Sequence, residues 1–377
     1  MKVGIVSFYD TQQNYGQILQ CFAMQRIFQS LGVEAFHLRY SNIARTSKSY
    51  RIIRLIKVLF CGLFPGYLKN RRKNKEEGKH SSFSVTNSQP PIRGFDEFRK
   101  EYLTFSDKIY TVDDLFNTPP EADVWVTGSD QVWGNGESDL FQLKFAPKSS
   151  IKLAIAASMG GYKLDNSYQR HFFKRNLSDY RYISLRESDG VKECNDIGLN
   201  SVQQILDPTL LCSAINYRNI EKTPKTLPDK PYVFVYLLGN PIDVKMSTIR
   251  DWIKFKGCEC VYISSQGRYD EDDSVYASPE EWLWYIDHAK YVITNSFHGM
   301  AFSILFNKQF MVIPIVGEWA RMNSRLTSTL EALGVSRNRV YDGHFSEIDS
   351  IINYDQINSS LGIYQEATYK EILKHLK

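Results

Sequence analysis

The repeated alternation of short apolar segments with helical patterns constrains the fold of this chain more than any other feature. Residues 2–8 and 33–38 are strand-like, and between them the apolar side chains of residues 17–31 recur at helical spacing. Such a unit pairs its two strands in parallel. Strand-like segments separated by helical ones continue at 123–128, 152–158, 182–186 and 202–206. The sequence therefore predicts an α/β fold with a parallel sheet covered by helices on both faces.

A polar segment with three prolines divides the chain. Residues 219–231 contain Pro224, Pro228 and Pro231, which is typical of a linker. Beyond it the alternation restarts, with strands predicted at 232–238, 260–264, 291–294 and 309–314. The 377 residues of the chain are enough for two cores, because domains cluster near about 100–200 residues.

We therefore predict two Rossmann-like domains. Residues 1–218 form the first, with a basic insertion at 45–79, and residues 232–350 form the second. Residues 351–377 form a helical tail that packs back on the first domain. Two such domains face each other across a cleft at the carboxyl ends of their strands, where ligands usually bind.

Composition and charge exclude several classes of protein. With 43% hydrophobic and 23% charged residues the chain is not disordered. The net charge of +4 arises in the insertion, where eleven Lys or Arg against two Glu give +9 and leave −5 for the rest of the chain. The fold itself is therefore not basic, and we expect no nucleic-acid partner.

The basic insertion also contains a short amphipathic pattern. Residues 52–64 are apolar except for Arg54 and Lys57, which share one helical arc with Arg51. This run is shorter than the ~20 residues that cross a bilayer, but it suits the surface of an anionic membrane. A peripheral anchor and a core-packing helix with a solvated basic loop remain equal interpretations. Because the chain opens on a strand pattern, we expect a cytoplasmic protein, held at the inner membrane face if the anchor forms.

Several familiar catalytic motifs are absent from the sequence. No GxGxxG follows a strand, and there is no P-loop, HExxH or GxSxG pattern, so dinucleotide, nucleotide triphosphate, zincin and esterase functions lose their main support. Of six scattered cysteines only Cys258 and Cys260 are close, which predicts reduced thiols and no metal site.

Polar clusters instead follow predicted strands, where α/β enzymes keep their active residues. They are Asn14-Tyr15-Gly16-Gln17, Gly128-Ser129-Asp130-Gln131-Val132-Trp133, Arg186-Glu187-Ser188, Asp207-Pro208-Thr209 and Thr294-Asn295-Ser296-Phe297-His298-Gly299.

These clusters, in this order, resemble the polysaccharide pyruvyl transferase family. The resemblance extends from the Asn-Tyr-Gly loop to Ser296-Phe297-His298-Gly299 and the Asn307-Lys308-Gln309-Phe310 turn. It implies a glycosyltransferase-B-like fold and the transfer of an enolpyruvyl group from phosphoenolpyruvate onto two hydroxyls of a sugar, which gives a pyruvate ketal. Phosphoenolpyruvate is then the donor substrate, and no cofactor is implied.

The resemblance also implies a donor site. His298 matches the histidine of the family's phosphoenolpyruvate site, and Ser296 and Gly299 belong to the same motif. An imidazole can protonate the terminal carbon of an enol ether, although a lone histidine in an apolar stretch is more often a core residue. Arg186 matches the family's anion-binding arginine, which predicts a bidentate grip on a carboxylate or phosphate. A further cation expected beyond the histidine falls on Arg325 or Arg321, and we favour Arg325 because it opens the next helix.

Four residues are candidates for the acceptor side. Asn14, Asp130 and Gln131 have side chains that can bind sugar hydroxyls, and Trp133 could stack on a pyranose face. For Trp133 the alternative is plain burial in the core, the commoner fate of a tryptophan near a strand end. Asp207, before Pro208, is expected to cap a helix.

The leading hypothesis is a phosphoenolpyruvate-dependent pyruvyltransferase that acts on a precursor of a surface or capsular polysaccharide. If the anchor forms, the acceptor is a saccharide on a polyprenyl diphosphate at the membrane. A nucleotide-sugar glycosyltransferase of the same fold is the first alternative, since fold does not fix function. A glycan-binding or assembly protein without catalysis is the second.

Overall fold

A computed structural model describes residues 1–41, 93–134, 138–239, 241–265 and 273–377. The basic insertion at 45–79 lies outside these residues, so the anchor remains a prediction. No helix in the described part of the chain is both long and apolar enough to cross a membrane.

The first domain contains a six-stranded sheet in which all neighbouring strands are parallel, in the order β2-β1-β3-β4-β5-β6. Its strands are β1 (Lys2–Val6), β2 (Glu34–His37), β3 (Val124–Thr127), β4 (Ile151–Ala157), β5 (Tyr182–Leu185) and β6 (Val202–Gln204). Its helices are α1 (Tyr15–Ser30), α2 (Phe95–Tyr102), α3 (Val112–Asn117), α4 (Ser167–Leu177), α5 (Ser188–Asp196), α6 (Pro208–Leu211) and α7 (Ala214–Arg218).

The central strands of this sheet are buried on both faces, which explains their continuous apolar sequences. Along β3, Val124 and Val126 belong to one hydrophobic core, whereas Trp125 between them belongs to the core on the opposite face. Gly4 on β1 leaves room for the Trp125 ring, which a Cβ at that position would overlap.

The second domain contains a four-stranded parallel sheet in the order β10-β9-β7-β8. Its strands are β7 (Tyr232–Tyr236), β8 (Glu259–Tyr262), β9 (Tyr291–Thr294) and β10 (Gln309–Val312). The helices that follow residue 232 are α8 (Met246–Phe255), α9 (Pro279–Asp287), α10 (Phe297–Leu305), α11 (Ser324–Ala332) and α12 (Tyr354–Leu376), with 3₁₀ turns at Gly317–Asn323, Arg337–Arg339 and Ser346–Asp349. The predicted α/β class with two Rossmann-like sheets is confirmed.

Each sheet reverses its winding beside its first strand, between β1 and β3 and between β7 and β9. Ligands of open α/β sheets bind at such switch points, outside the carboxyl ends of the strands. The loop after β1 leads to α1, and the loop after β9 leads to α10. These two helix beginnings meet across the contact between the domains.

The two domains pack closely on each other beside this point. Tyr15 of α1 stacks on Trp282 of α9 with 5.6 Å between ring centroids, and its hydroxyl donates to the Ala277 carbonyl at 2.6 Å. Arg93 donates to the carbonyl and hydroxyl oxygens of Ser264 at 3.0 and 2.9 Å. One continuous core therefore includes side chains of both domains.

The long helix α12 contacts the first domain. Gln365 donates to the Leu210 carbonyl at 2.8 Å, and the Tyr369 hydroxyl donates to the Leu211 carbonyl at 3.1 Å. Near the end of the helix His375 stacks on Tyr182 with 4.8 Å between centroids. The hydrogen bonds from α12 hold α6 in place, and Asp207 lies at the start of α6.

Candidate active site

Side chains from loops of both sheets converge where the two domains meet. The first domain contributes Asp130 after β3, Arg186 after β5 and Asp207 after β6. The second contributes His298 at the start of α10 and Arg325 at the start of α11. All five are largely buried, with at most 9% of any residue exposed. Residues that lie far apart in the sequence thus form one polar cluster in an apolar surrounding.

Asp207 and Arg186 form the centre of the cluster as a fully buried ion pair. Arg186 Nη1 donates to Asp207 Oδ2 at 2.6 Å, and Ser129 Oγ donates to the same oxygen at 3.0 Å. Oδ1 accepts from the amide and hydroxyl of Thr209 at 2.9 and 2.7 Å, which caps α6 as expected. Burial alone would raise the pKa of Asp207, but Arg186, His298 and the Thr209 hydrogen bonds together lower the pKa to about 2. Asp207 is therefore an ionised support for Arg186 and not a general acid.

Arg186 keeps part of its guanidinium unpaired. Its Nη2 lies 3.7 Å from Asp130 Oδ1, too far for a hydrogen bond, and its Cζ lies 4.7 Å from the centroid of the Phe297 ring. Nε and Nη2 are buried and have no hydrogen-bond partner within the described part of the chain. Burial acts to lower the pKa of Arg186, yet the carboxylates of Asp207, Asp130 and Glu187 raise it above its ordinary value. Arg186 is thus a permanent cation with two free donor atoms.

His298 lies in the first turn of α10, opposite Asp207. Ser296 caps this helix by accepting from the Gly299 amide at 3.3 Å, so these two predicted donor-site residues shape the turn that carries the histidine. His298 Nε2 is 4.0 Å from Asp207 Oδ1 and has no hydrogen-bond partner among the described residues. Burial lowers the pKa of His298 below 6.5, and Asp207 opposes this only in part. The imidazole is therefore neutral near pH 7 while no ligand is bound.

Arg325 lies inside the cluster and Arg321 at its rim. Only 7% of Arg325 is exposed, and its Cζ lies 5.8 Å from the Phe297 ring, beside Arg186. Burial, with the positive charge of Arg186 next, lowers the pKa of Arg325 to about 10, so it too is charged at neutral pH. Arg321 is exposed, and the aliphatic part of its side chain covers Gly161.

Gln131 and Asp130 line the cluster on the side of the first domain. With its amide oxygen turned toward Arg325, Gln131 accepts from Nη1 and Nη2 at 3.1 and 3.3 Å. Asp130 has a left-handed backbone with φ of 73°, a conformation uncommon outside glycine and often found at functional sites. Gln17 donates to Asp130 Oδ2 at 3.3 Å, which links the start of α1 to the loop after β3.

The two remaining acceptor candidates have structural contacts. Asn14 caps α1 by accepting from the Gln17 amide at 3.1 Å. Trp133 is fully buried, its indole N–H donates to the Phe141 carbonyl at 3.0 Å, and its ring meets Phe173 edge to face. Trp133 therefore presents no face to a sugar: the predicted stacking platform is wrong, and the alternative, burial in the core, is what the structure shows.

Two further residues at the cluster, Glu187 and Phe297, had no predicted role in the site. Glu187 Oε1 accepts from the Ser158 hydroxyl at 3.0 Å and from the amides of Met159 and Gly160 at 2.5 and 3.2 Å, which fixes the turn after β4. Burial raises the pKa of this carboxyl, against the pull of Arg186 and Arg325. The Phe297 ring lies against both arginines. Each residue adjoins a predicted site residue in the sequence, but no spacing rule distinguishes them.

Several helices begin at the cluster, which favours anions there. The first turns of α1, α5, α10 and α11 adjoin Gly16, Arg186, His298 and Arg325 respectively. Unpaired amides and the helix dipole give a helix N-terminus a partial positive charge. The two charged arginines and these helix ends face the carboxyl groups of Asp130, Asp207 and Glu187. The unpaired Nε and Nη2 of Arg186 are donors that an anionic group could accept from. Among the described residues, no group of three or more His, Cys, Asp or Glu could hold a metal ion.

Comparison with known proteins identifies a family for this chain. The chain matches the model of the polysaccharide pyruvyl transferase family over residues 14–315, which include every candidate site residue except Arg321 and Arg325. No curated protein matches it at a significant level. The family match spans most of the chain and four of the five cluster residues, all but Arg325.

Structure comparison matches the chain to several solved structures, all at low sequence identity. A UDP-N-acetylglucosamine 2-epimerase is 9% identical with a TM-score of 0.49, over 100% of this chain and 95% of the other. The UDP-GlcNAc 2-epimerase from Neisseria meningitidis is 10% identical with a TM-score of 0.43, over 98% and 100%. The glycosyltransferase SsfS6 from Streptomyces sp. SF2575 is 11% identical with a TM-score of 0.36, over 100% and 94%. On the match over residues 14–315, the chain belongs to the polysaccharide pyruvyl transferase family.

Proposed function

We propose that this protein transfers the enolpyruvyl group of phosphoenolpyruvate onto two hydroxyls of one sugar, in a precursor of a surface or capsular polysaccharide. The observation that carries the proposal is the set of unpaired polar atoms at the cluster. Nε and Nη2 of Arg186 and Nε2 of His298 are buried without hydrogen-bond partners among the described residues. Buried polar atoms of this kind are costly unless a ligand satisfies them.

Phosphoenolpyruvate carries a carboxylate and a phosphate on the same central carbon, and the two arginines provide a separate cation for each. Arg186 uses Nη1 for Asp207, which leaves the Nε and Nη2 edge for two parallel hydrogen bonds to one anionic group. Arg325 has Gln131 as a neutral partner, so its charge is available to the second anionic group. Arg321 lies at the rim, where it can attract the donor from solvent.

The reaction needs a proton at the terminal carbon of the donor and a nucleophile at its central carbon. In the proposed sequence His298 gives a proton to the terminal carbon, and the first sugar hydroxyl bonds to the central carbon and loses its proton to the imidazole. The bond to phosphate then breaks, the phosphate departs with the electron pair, and the second hydroxyl closes the ketal. The proton of the second hydroxyl leaves with the phosphate, so the balance is one ketal and one inorganic phosphate.

The electrostatics of the free site suit this role of His298. Burial holds the imidazole neutral while the site is free. A multiply charged donor placed beside the ring favours the protonated form and raises its pKa. Binding of the donor therefore favours the protonated histidine, which is the form that can act as the acid. No cofactor takes part in this scheme.

The acceptor side of the proposal rests on fewer contacts. Asp130 and Gln131 lie beside the arginines on the first domain and can bind sugar hydroxyls, and Asn14 lies at the adjoining helix start. If the insertion at 45–79 holds the protein at the inner face of the cytoplasmic membrane, the acceptor we propose is a saccharide on a polyprenyl diphosphate.

The proposal is tested by following both products. The purified full chain is incubated with phosphoenolpyruvate and a panel of lipid-linked and free saccharides, and release of phosphate is compared with formation of the pyruvylated saccharide by mass spectrometry. We expect equal amounts of phosphate and ketal. Glycosyl transfer from a nucleotide sugar with no use of phosphoenolpyruvate would contradict the proposal, and binding of saccharide with no turnover of any donor would indicate a non-catalytic protein.

A further inference from the structure

The Asn14-Tyr15-Gly16 segment forms the first turn of α1 and lies on the contact between the domains. Asn14 caps the helix, and Tyr15 fastens it to the second domain through Trp282 and Ala277. Gly16 lies directly against the imidazole of His298. The backbone of one domain therefore contacts the proposed catalytic residue of the other.

Local structure does not explain why residue 16 is glycine. Its φ is not in the left-handed region, so its backbone is open to any residue. Within a helix alanine is more favourable than glycine. A Cβ at this position would, however, overlap Nδ1, Cγ and Cε1 of His298. The absence of a side chain is thus required by the neighbouring ring and not by the helix.

We propose that Gly16 is a positioning residue for His298. Tyr15 holds the first turn of α1 against the second domain, and Gly16 then forms a flat wall on which the imidazole rests beside Asp207. With a side chain at residue 16 either the ring or the helix has to move. The catalytic part of this inference rests on the proposed function, but the contact itself does not.

The first experiment compares Gly16→Ala with Gly362→Ala in the full chain. Gly362 lies in α12, is exposed, and has open space where a Cβ would be, so it is a matched helical control. We expect Gly16→Ala to lower kcat about 100-fold, because a displacement near 1 Å of a reacting group has that cost, with a smaller change in KM for phosphoenolpyruvate. Gly362→Ala should leave both constants unchanged. Equal kcat in wild type and Gly16→Ala would overturn the proposal.

A second experiment measures stability and needs no activity. Gly16→Ala is made in the wild type and in His298→Ala, whose methyl group leaves room for the new Cβ. We expect a lower thermal midpoint for Gly16→Ala in the wild type and a higher one in His298→Ala, where only the helix preference remains. The same change in both backgrounds would show that Gly16 does not act through His298.

The imidazole also reports its position directly. The titration of His298 is followed by NMR, with its signal assigned by its loss in His298→Gln. We expect the buried ring of the wild type to titrate below 6.5 and the displaced ring of Gly16→Ala to titrate closer to 6.5. Asp207, Arg186, Asp130 and Arg325, the charged groups that face the ring, are unchanged between the two proteins. Identical titrations of His298 in the two proteins would overturn the inference. If the titrations differ as expected but the wild type does not use phosphoenolpyruvate, only the proposed function is overturned.

Discussion

The two sides of the active-site cluster differ in how completely their polar atoms are paired. Each oxygen of Asp207 accepts two hydrogen bonds, from Ser129 and Arg186 on one side and from Thr209 on the other. Nε2 of His298 lies 4.0 Å from Asp207 Oδ1 and makes no hydrogen bond within the described part of the chain. Polar groups that are all hydrogen-bonded hold one another rigidly, whereas buried polar groups without partners are stabilised only when a ligand binds to them. We therefore call Asp207 and its hydrogen-bond partners the supporting side of the cluster, and His298 with the arginine atoms left unpaired the reacting side.

The reacting side gives the largest expected effect on activity. His298→Gln removes the proton donor, and we expect kcat to fall by about 100- to 10,000-fold, the usual contribution of a general acid. His344→Gln is the control, because His344 is exposed and is not one of the buried cluster residues. Steady-state assays with phosphoenolpyruvate measure both. Wild-type kcat in His298→Gln would remove the residue from the mechanism and with it the distinction between the two sides.

The supporting side gives the largest expected effect on stability. Asp207→Asn leaves Arg186 buried without its counter-charge, and we expect the free energy of unfolding to fall by about 3–5 kcal/mol, as for other broken buried pairs. Asp196→Asn breaks the exposed pair with Lys192 and should lower the free energy of unfolding far less, because exposed ion pairs contribute little. Urea denaturation compares the two. Equal losses would mean that Asp207 is not the support described here.

Substitution of Arg325 and of Arg321 tests which of the two arginines binds the second anionic group of the donor. Arg325→Gln removes a buried cation, and we expect KM for phosphoenolpyruvate to rise at least about tenfold, since a hydrogen bond to a charged group contributes about 1.5–3 kcal/mol. Arg321→Gln alters an exposed rim residue, and its effect should be smaller and should vanish at high salt. A larger effect at Arg321 would place the second anionic group at the rim.

The smallest effect concerns stability at acidic pH. Because the folded pKa of His298 is below 6.5, the unfolded chain binds more protons below that pH, and stability falls as pH drops from 6.5 toward the folded pKa. We therefore expect the urea midpoint to fall less in His298→Gln than in the wild type between about pH 7.5 and about pH 5.5. Burial lowers the pKa of His37 to about 4, but it acts equally in both proteins. Parallel pH profiles would contradict a buried neutral imidazole.

The sequence predicted the fold well because buried parallel strands have a strong local pattern. The alternation of apolar runs and helices located both sheets, and the polar clusters after the strands included Asp130, Arg186 and His298, which the structure brings together. Helix α1 begins at Tyr15, before the expected residue 17, because Asn14 supplies the cap. Asn14 was predicted only as an acceptor residue, although an Asn before an apolar periodic segment is also a signal for a helix cap.

The contacts between distant segments could not be predicted in the same way. Trp133 follows a strand as the other site residues do, yet its ring turns into the core, where Phe141 and Phe173 contact it. The role of Gly16 depends on His298 in the other domain, and no local signal distinguishes such a glycine from one in a turn. Arg325 is buried and Arg321 is exposed, a difference that only the assembled domains determine, and which of the two meets the donor stays a prediction.

The most direct test of the central claim is a thermal-shift titration of the full chain with phosphoenolpyruvate, with inorganic phosphate and a nucleotide sugar as controls. A ligand of the native state raises stability in proportion to RT ln(1 + [L]/Kd). We predict a rise that is larger with phosphoenolpyruvate than with phosphate, is lost in Arg186→Ala and is retained in His344→Gln. No rise at millimolar phosphoenolpyruvate, together with a clear rise from the nucleotide sugar, would contradict the account and favour a glycosyltransferase.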